Sequence, residues 1–151
     1  LEKAYNNPLD LKAREKMAEA SIVAGVAFSH PRTTGSHACS FPLTNIYGLP
    51  HGEACAFTLD YFLKFNAEHA DGDGRITALA KDCGFNDAFE MADEITAMKK
   101  RMGMRCTLSE IGCETDEQID ELTKKSMSML MTRNPITLTQ KDIKEMYIKL
   151  K

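Results

Sequence analysis

Apolar residues recur at helical spacing from one end of this chain to the other and nowhere alternate over the length of a strand. Valine and isoleucine are few, so a sheet has little to draw on. Turn formers separate the periodic runs: Pro31, Gly48-Leu49-Pro50, Asp71-Gly72-Asp73-Gly74, Gly84, Gly103 and Asn134-Pro135. The expected fold class is therefore all-α, a bundle of about six to seven helices.

Asp10 is placed to cap a helix over residues 11–28. The second half of that helix, with Ile22, Val23, Val26 and Phe28, is apolar all round, which predicts burial in the middle of a bundle. Ser36 or His37 starts a segment reaching about Ile46, and a third helix runs over 52–66. Residues 75–83 form a short helix ended by Gly84. Asn86 or Asp87 caps the next, with Phe89, Ala92, Ile95 and Met98 or Met102 on one face. Residues 103–113 connect, with a short turn over 108–111. Thr115 and Gln118 fit a capping box. The helix behind them places Ile119, Leu122, Met129 and Leu130 on one stripe and ends at Asn134-Pro135. Thr139 opens the last helix, with Ile143, Met146, Tyr147 and Leu150 in phase.

At 151 residues, one domain over 1–151 is the default. The net charge is −3, tryptophan is absent and no basic run exceeds Lys99-Lys100-Arg101, so nucleic acid is not an expected partner. The longest mainly apolar stretch, residues 18–28, is too short for a membrane span and is interrupted by Glu19, Ser21 and Gly25. The five cysteines are odd in number and never spaced C-x-x-C, which fits reduced thiols of a cytoplasmic protein. The chain opens on Leu1-Glu-Lys-Ala, which reads as the tail of a helix and raises the expectation of a fragment.

One stretch reads as a site. His37 and His51 each open an apolar run, and each follows a turn former. Two imidazoles at the starts of consecutive helices can face one another and offer two nitrogens to one divalent ion. A metal that does chemistry generally takes three protein ligands, so further donors are expected elsewhere. The plainer reading is a pair of helix-start histidines serving as caps.

The other signals have plain readings. Asp71-Gly72-Asp73-Gly74 imitates a calcium loop, but His69 then falls at its first position and Ala80 at its last, where a bidentate Glu is required. A solvated turn is expected there. His30 suits a helix end, His69 a surface, and Glu53 a helix N-terminus. Neither G-x-G-x-x-G after a strand nor G-x-S-x-G is present.

Four pieces together resemble the iron-containing (type III, metal-dependent) alcohol dehydrogenases: Ala13-Arg-Glu-Lys-Met-Ala-Glu-Ala-Ser, Ala24-Gly-Val-Ala-Phe28, His37-Ala and Leu49-Pro50-His51-Gly52. The histidine spacing, 51 − 37 = 14, is that of the family's pair of C-terminal metal ligands. The tail Asn134-Pro135…Leu138-Thr139-Gln-Lys-Asp142-Ile143 is similar to the family's last helix, so the resemblance covers essentially the whole chain.

The resemblance implies a two-domain enzyme. An N-terminal α/β domain binds NAD(P), and an all-helical C-terminal domain binds Fe(II) or Zn(II). The family's metal takes an Asp and a His three residues apart on a helix, then two later histidines. His37 and His51 match the later two, and the first two belong upstream of Leu1. The implied reaction interconverts a small alcohol and its aldehyde or ketone. Phe28 falls where the family has an aromatic lining the alcohol pocket. Phe41 departs from a histidine that many members carry, and an apolar ring relays no proton. Phe28 and Phe41 are thus expected to form an apolar substrate wall.

The run around Phe41-Pro42-Leu43-Thr44 is similar to the branch containing phosphonoacetaldehyde reductases. On this reading the chain alone is inactive. Its expected partners are the substrate, the N-terminal domain and, in an oligomer, further copies of itself. The alternative is a free-standing helical interaction module without catalysis.

Overall fold

A computed structural model describes residues 1–151 and contains nine α-helices, two short 3-10 turns and no strand. The chain divides into two compact units, Leu1–Thr33 and Thr34–Lys151. No helix is long and apolar enough to cross a membrane.

The first unit holds α1 (Glu2–Asn6) and α2 (Leu11–Phe28). The Asp10 carboxylate accepts the Ala13 N–H at 3.0 Å, satisfying one of the donors a helix start leaves open. The apolar second half of α2 is not buried, contrary to expectation. Ile22, Val23 and Val26 are 63–71% exposed, and no residue of the helix is buried. A helix apolar on every side needs neighbours on several sides, and within this unit only α1 packs on it.

The second unit holds α3 (Gly35–Tyr47), α4 (His51–Phe57), α5 (Leu59–Ala70), α6 (Arg75–Asp82), α7 (Ala88–Arg101), α8 (Asp116–Ser126) and α9 (Gln140–Lys149). Helix α3 lies at its centre, packed on α4, α5 and α8, with α9 against α8 and α7 against α5. Leu43, Phe57, Ile119, Leu122, Met146 and Tyr147 form the innermost core.

The helix count exceeds the six to seven expected because α1 is formed and because residues 52–66 are two helices. They break at Thr58, where φ is −110° and ψ is 3°. No glycine or proline marks this break. Lys99 of α7 holds it: its Nζ donates to the carbonyls of Ala56 (3.1 Å) and Phe57 (3.3 Å) and to Asp60 Oδ1 (2.8 Å). The ammonium supplies donors at carbonyls where α4 ends. Lys99 is only 3% exposed, a buried charge that keeps both a counter-ion and hydrogen bonds.

A second difference concerns α8, which starts at the Thr115–Gln118 capping box as expected but stops at Ser126 rather than at Asn134. The chain leaves the helix at Met127, then makes a 3-10 turn over Met131–Arg133. Ser126 Oγ is fixed between the Leu122 carbonyl (2.9 Å) and the Tyr147 hydroxyl (2.8 Å). Ile119 and Leu122 are buried as the stripe requires, but Met129 is 77% exposed and Leu130 half-buried. Met131 is buried instead.

Two glycines position the start and end of α3. A Cβ on Gly35 would lie 2.4 Å from the Phe62 ring, so the close approach of α3 to α5 requires glycine there. Gly48 ends α3 at φ +70°, a left-handed conformation costly for other residues, and turns the chain toward Pro50 and His51.

Candidate metal centre

His37 lies in the first turn of α3, and His51 is the first residue of α4. The helices pack together after the turn at Gly48, and Ser36 Oγ, donating to the Cys55 carbonyl at 2.9 Å, sets the first turn of α3 against α4. The two imidazole rings meet edge to face, centroids 4.8 Å apart and planes at 87°. The sequence expectation that these histidines face one another is met in the geometry.

A third donor stands between them. Cys55 lies one turn after His51 on α4, and its Sγ is 3.4 Å from His37 Nδ1 and 3.7 Å from His51 Nε2. One donor atom from each of the three residues lies within 4.8 Å of the others. The sequence reading passed over Cys55. In an apolar run a cysteine looks like core, and the one hint was its i, i+4 spacing from His51, which puts two side chains on the same helix face. Two imidazole nitrogens and a sulfur form a donor set suited to a divalent metal of borderline softness.

Phe41 sits beside both histidines. Its ring lies 5.2 Å from His37, edge to face, and 6.1 Å from His51, and it is 42% exposed. Phe28, the other expected wall residue, closes α2 in the first unit and is also exposed.

The surroundings fix α4 rather than add chemistry. Glu53 is clamped by Arg105: its carboxylate accepts the backbone N–H at 3.0 Å and the guanidinium at 2.9 and 2.7 Å. The side-chain hydrogen bond from Arg105 holds the Glu53 carboxyl below its ordinary range, so it stays ionised and engaged. Burial, and then the nearby charge of His51, lower the His37 pKa, which favours the neutral imidazole that a metal needs. Cys39, two residues after His37, is buried, and its thiol is pushed up to about 11, mainly by that burial. It packs as core.

The sites given plain readings behave accordingly. Asp71 does not form a calcium loop. Its carboxylate accepts the N–H groups of Ile76 (2.7 Å) and Thr77 (3.0 Å) and so anchors the start of α6. His69 stacks on Phe65 at 4.4 Å, with Nδ1 2.9 Å from the Phe65 carbonyl oxygen.

Residues 1–150 match the model of the "Fe-containing alcohol dehydrogenase family, C-terminal". An alcohol dehydrogenase of Thermococcus barophilus is 32% identical over 141 residues, covering 91% of this chain and 36% of that protein. Long-chain-alcohol dehydrogenase 1 of Geobacillus thermodenitrificans is 28% identical, covering 97% of this chain and 39% of that protein. Among solved structures, sulfoacetaldehyde reductase from Bifidobacterium kashiwanohense in complex with NAD+ superposes with a TM-score of 0.92 at 48% identity, covering 97% of this chain and 38% of that one. The chain thus spans well under half the length of these relatives.

Proposed function

The chain belongs to the Fe-containing alcohol dehydrogenase family, as its C-terminal part, and on that premise we propose that it completes the metal centre of an NAD(P)-dependent oxidoreductase. The whole protein, joining this chain to an N-terminal NAD(P) domain, interconverts a small alcohol and its aldehyde or ketone. The observation that carries this reading is the edge-to-face pairing of His37 and His51 at the starts of consecutive helices.

A divalent ion, Fe(II) or Zn(II), would supply Lewis acidity toward the alcohol or carbonyl oxygen, and a nicotinamide bound by the N-terminal domain would supply the hydride chemistry. His37 and His51 would hold the ion, each through one ring nitrogen. Phe41 presents an apolar edge beside both imidazoles, sheds water from that side and has no proton to exchange. Phe28 is assigned a substrate-facing role by resemblance alone. Glu53, engaged by Arg105, keeps α4 in place and is not a base for the reaction. The five cysteines are all free, which supports a reducing, cytoplasmic location.

For the substrate we propose a short aldehyde carrying a tetrahedral anionic head, a sulfonate or a phosphonate. The 48% identity with a sulfoacetaldehyde reductase supports this class, as does the run Phe41-Pro42-Leu43-Thr44. The test is oxidation of NADH and NADPH by the whole, metal-loaded protein with sulfoacetaldehyde, phosphonoacetaldehyde and propanal. Faster turnover of an anionic aldehyde than of propanal is expected. Equal rates would remove the anionic specificity, and no turnover with any of them would remove the oxidoreductase reading. The 151-residue chain alone is expected to transfer no hydride.

A further inference from the structure

We infer that Cys55 is a third metal ligand of this chain, and that the resulting two-imidazole, one-thiolate set takes a zinc-class ion. This rests on the reading of His37 and His51 as metal ligands. It goes beyond that reading by naming a donor that the sequence did not suggest and the class of ion it selects.

The argument is one of distance. Zinc–sulfur bonds are about 2.3 Å and zinc–nitrogen bonds about 2.0–2.1 Å, so a sulfur and a nitrogen on one tetrahedral ion lie about 3.5 Å apart. The observed separations of Cys55 Sγ from the two histidine nitrogens, 3.4 and 3.7 Å, bracket that value. The nitrogens come from different helices and approach the sulfur from rings set at 87°. A single S–H proton serves one ring nitrogen at a time. The three donor atoms lie within 4.8 Å of one another, so an ion would draw the two imidazole nitrogens inward by a small turn of their rings and then serve all three. Neighbouring polar groups do not compete for the position: Glu53 is held by Arg105, and Cys39 is enclosed in the core.

On coordination the Sγ–H bond breaks, an Sγ–metal bond forms and the proton passes to solvent. No oxidation or reduction is involved. The three donors of this chain leave coordination positions for donors from the rest of the protein and for a substrate oxygen. A thiolate beside two imidazoles also shifts preference toward zinc over the harder, oxygen-seeking ions.

The test replaces zinc with cobalt, whose thiolate complexes absorb in the near ultraviolet. The chain is titrated anaerobically with Co(II), beside Cys55→Ala and a control, Cys83→Ser, at an exposed cysteine. One equivalent is expected to give a thiolate-to-cobalt band in the native chain and in the control, and none in Cys55→Ala. Zinc affinity in Cys55→Ala is expected to fall at least about tenfold, since the loss of even an outer group costs that much. X-ray absorption of the zinc-loaded native chain, which needs no variant, is expected to show one sulfur neighbour. Cobalt bound without the sulfur band, or a band surviving in Cys55→Ala, would overturn the cysteine ligand and leave the histidine pair standing. No cobalt binding at all would remove both.

Discussion

The imidazoles of His37 and His51 touch edge to face, 4.8 Å between centroids, although thirteen residues (51 − 37 − 1) lie between them. The contact depends on features that lie outside the pair. Gly48 turns the chain with a positive φ, Gly35 lets α3 lie against Phe62, and Lys99 and Arg105 fasten α4 at either end. The predictions follow from these supports.

Gly35→Ala places a methyl group 2.4 Å from a ring that is 3% exposed. Overpacking of this kind costs about 1–3 kcal/mol, with a lowered midpoint in urea unfolding. A smaller partner makes room, so Phe62→Leu in the Gly35→Ala background is expected to restore part of the loss. A strictly additive double-mutant cycle would show that the two positions do not meet.

Lys99→Met removes a buried ammonium and leaves the Asp60 carboxylate without its cation. The carbonyls of Ala56 and Phe57 lose a donor as well. Breaking one side of such a pair costs about 3 kcal/mol. Because α4 carries His51 and Cys55, metal affinity is expected to fall with stability. Urea unfolding and zinc competition on the same variant check both effects.

Much of the outline is legible in the sequence. Asp10, Thr115 and Thr139 cap the helices they were assigned to, because capping is a local exchange of hydrogen bonds. Ile143, Met146 and Tyr147 are buried along α9 as their spacing requires. The break at Thr58 was not legible, since the ammonium that holds it belongs to Lys99, some forty residues away. The early end of α8 is tertiary too: Ser126 is held by Tyr147 on another helix. The apolar half of α2 promised burial that its unit does not supply. At the site the histidines announced themselves by their place after turn formers. Cys55 did not, because its chemistry appears only when α3 is brought alongside.

Glu53 gives the chain an acid-sensitive support. Its folded pKa lies below the ordinary 4.5, chiefly through the hydrogen bond from Arg105. The stability it contributes is therefore complete above pH 4.5 and is lost as pH falls through the lowered value. Glu53→Gln is expected to lower the melting temperature at neutral pH and to narrow its gap from the native chain in acid. A constant difference at every pH would mean that the carboxylate charge is not what holds Arg105.

His37 acts in the same direction at higher pH. Its pKa is lowered from 6.5 by burial and by His51, so the unfolded chain takes up the proton first. The metal-free chain is expected to lose stability as pH falls from 6.5 through the lowered folded value. His37→Gln removes that slope. Melting curves across this range, recorded with a chelator present, measure it.

The most direct measurement is calorimetric titration of the chain with Zn(II), repeated anaerobically with Fe(II), beside His37→Ala and His51→Ala. Folding of each variant is verified by circular dichroism. One ion bound per native chain, with binding lost or severely weakened when either histidine is removed, is the predicted result. Binding unchanged in either variant would show that the paired imidazoles are not the metal's ligands, and the proposed centre would be wrong.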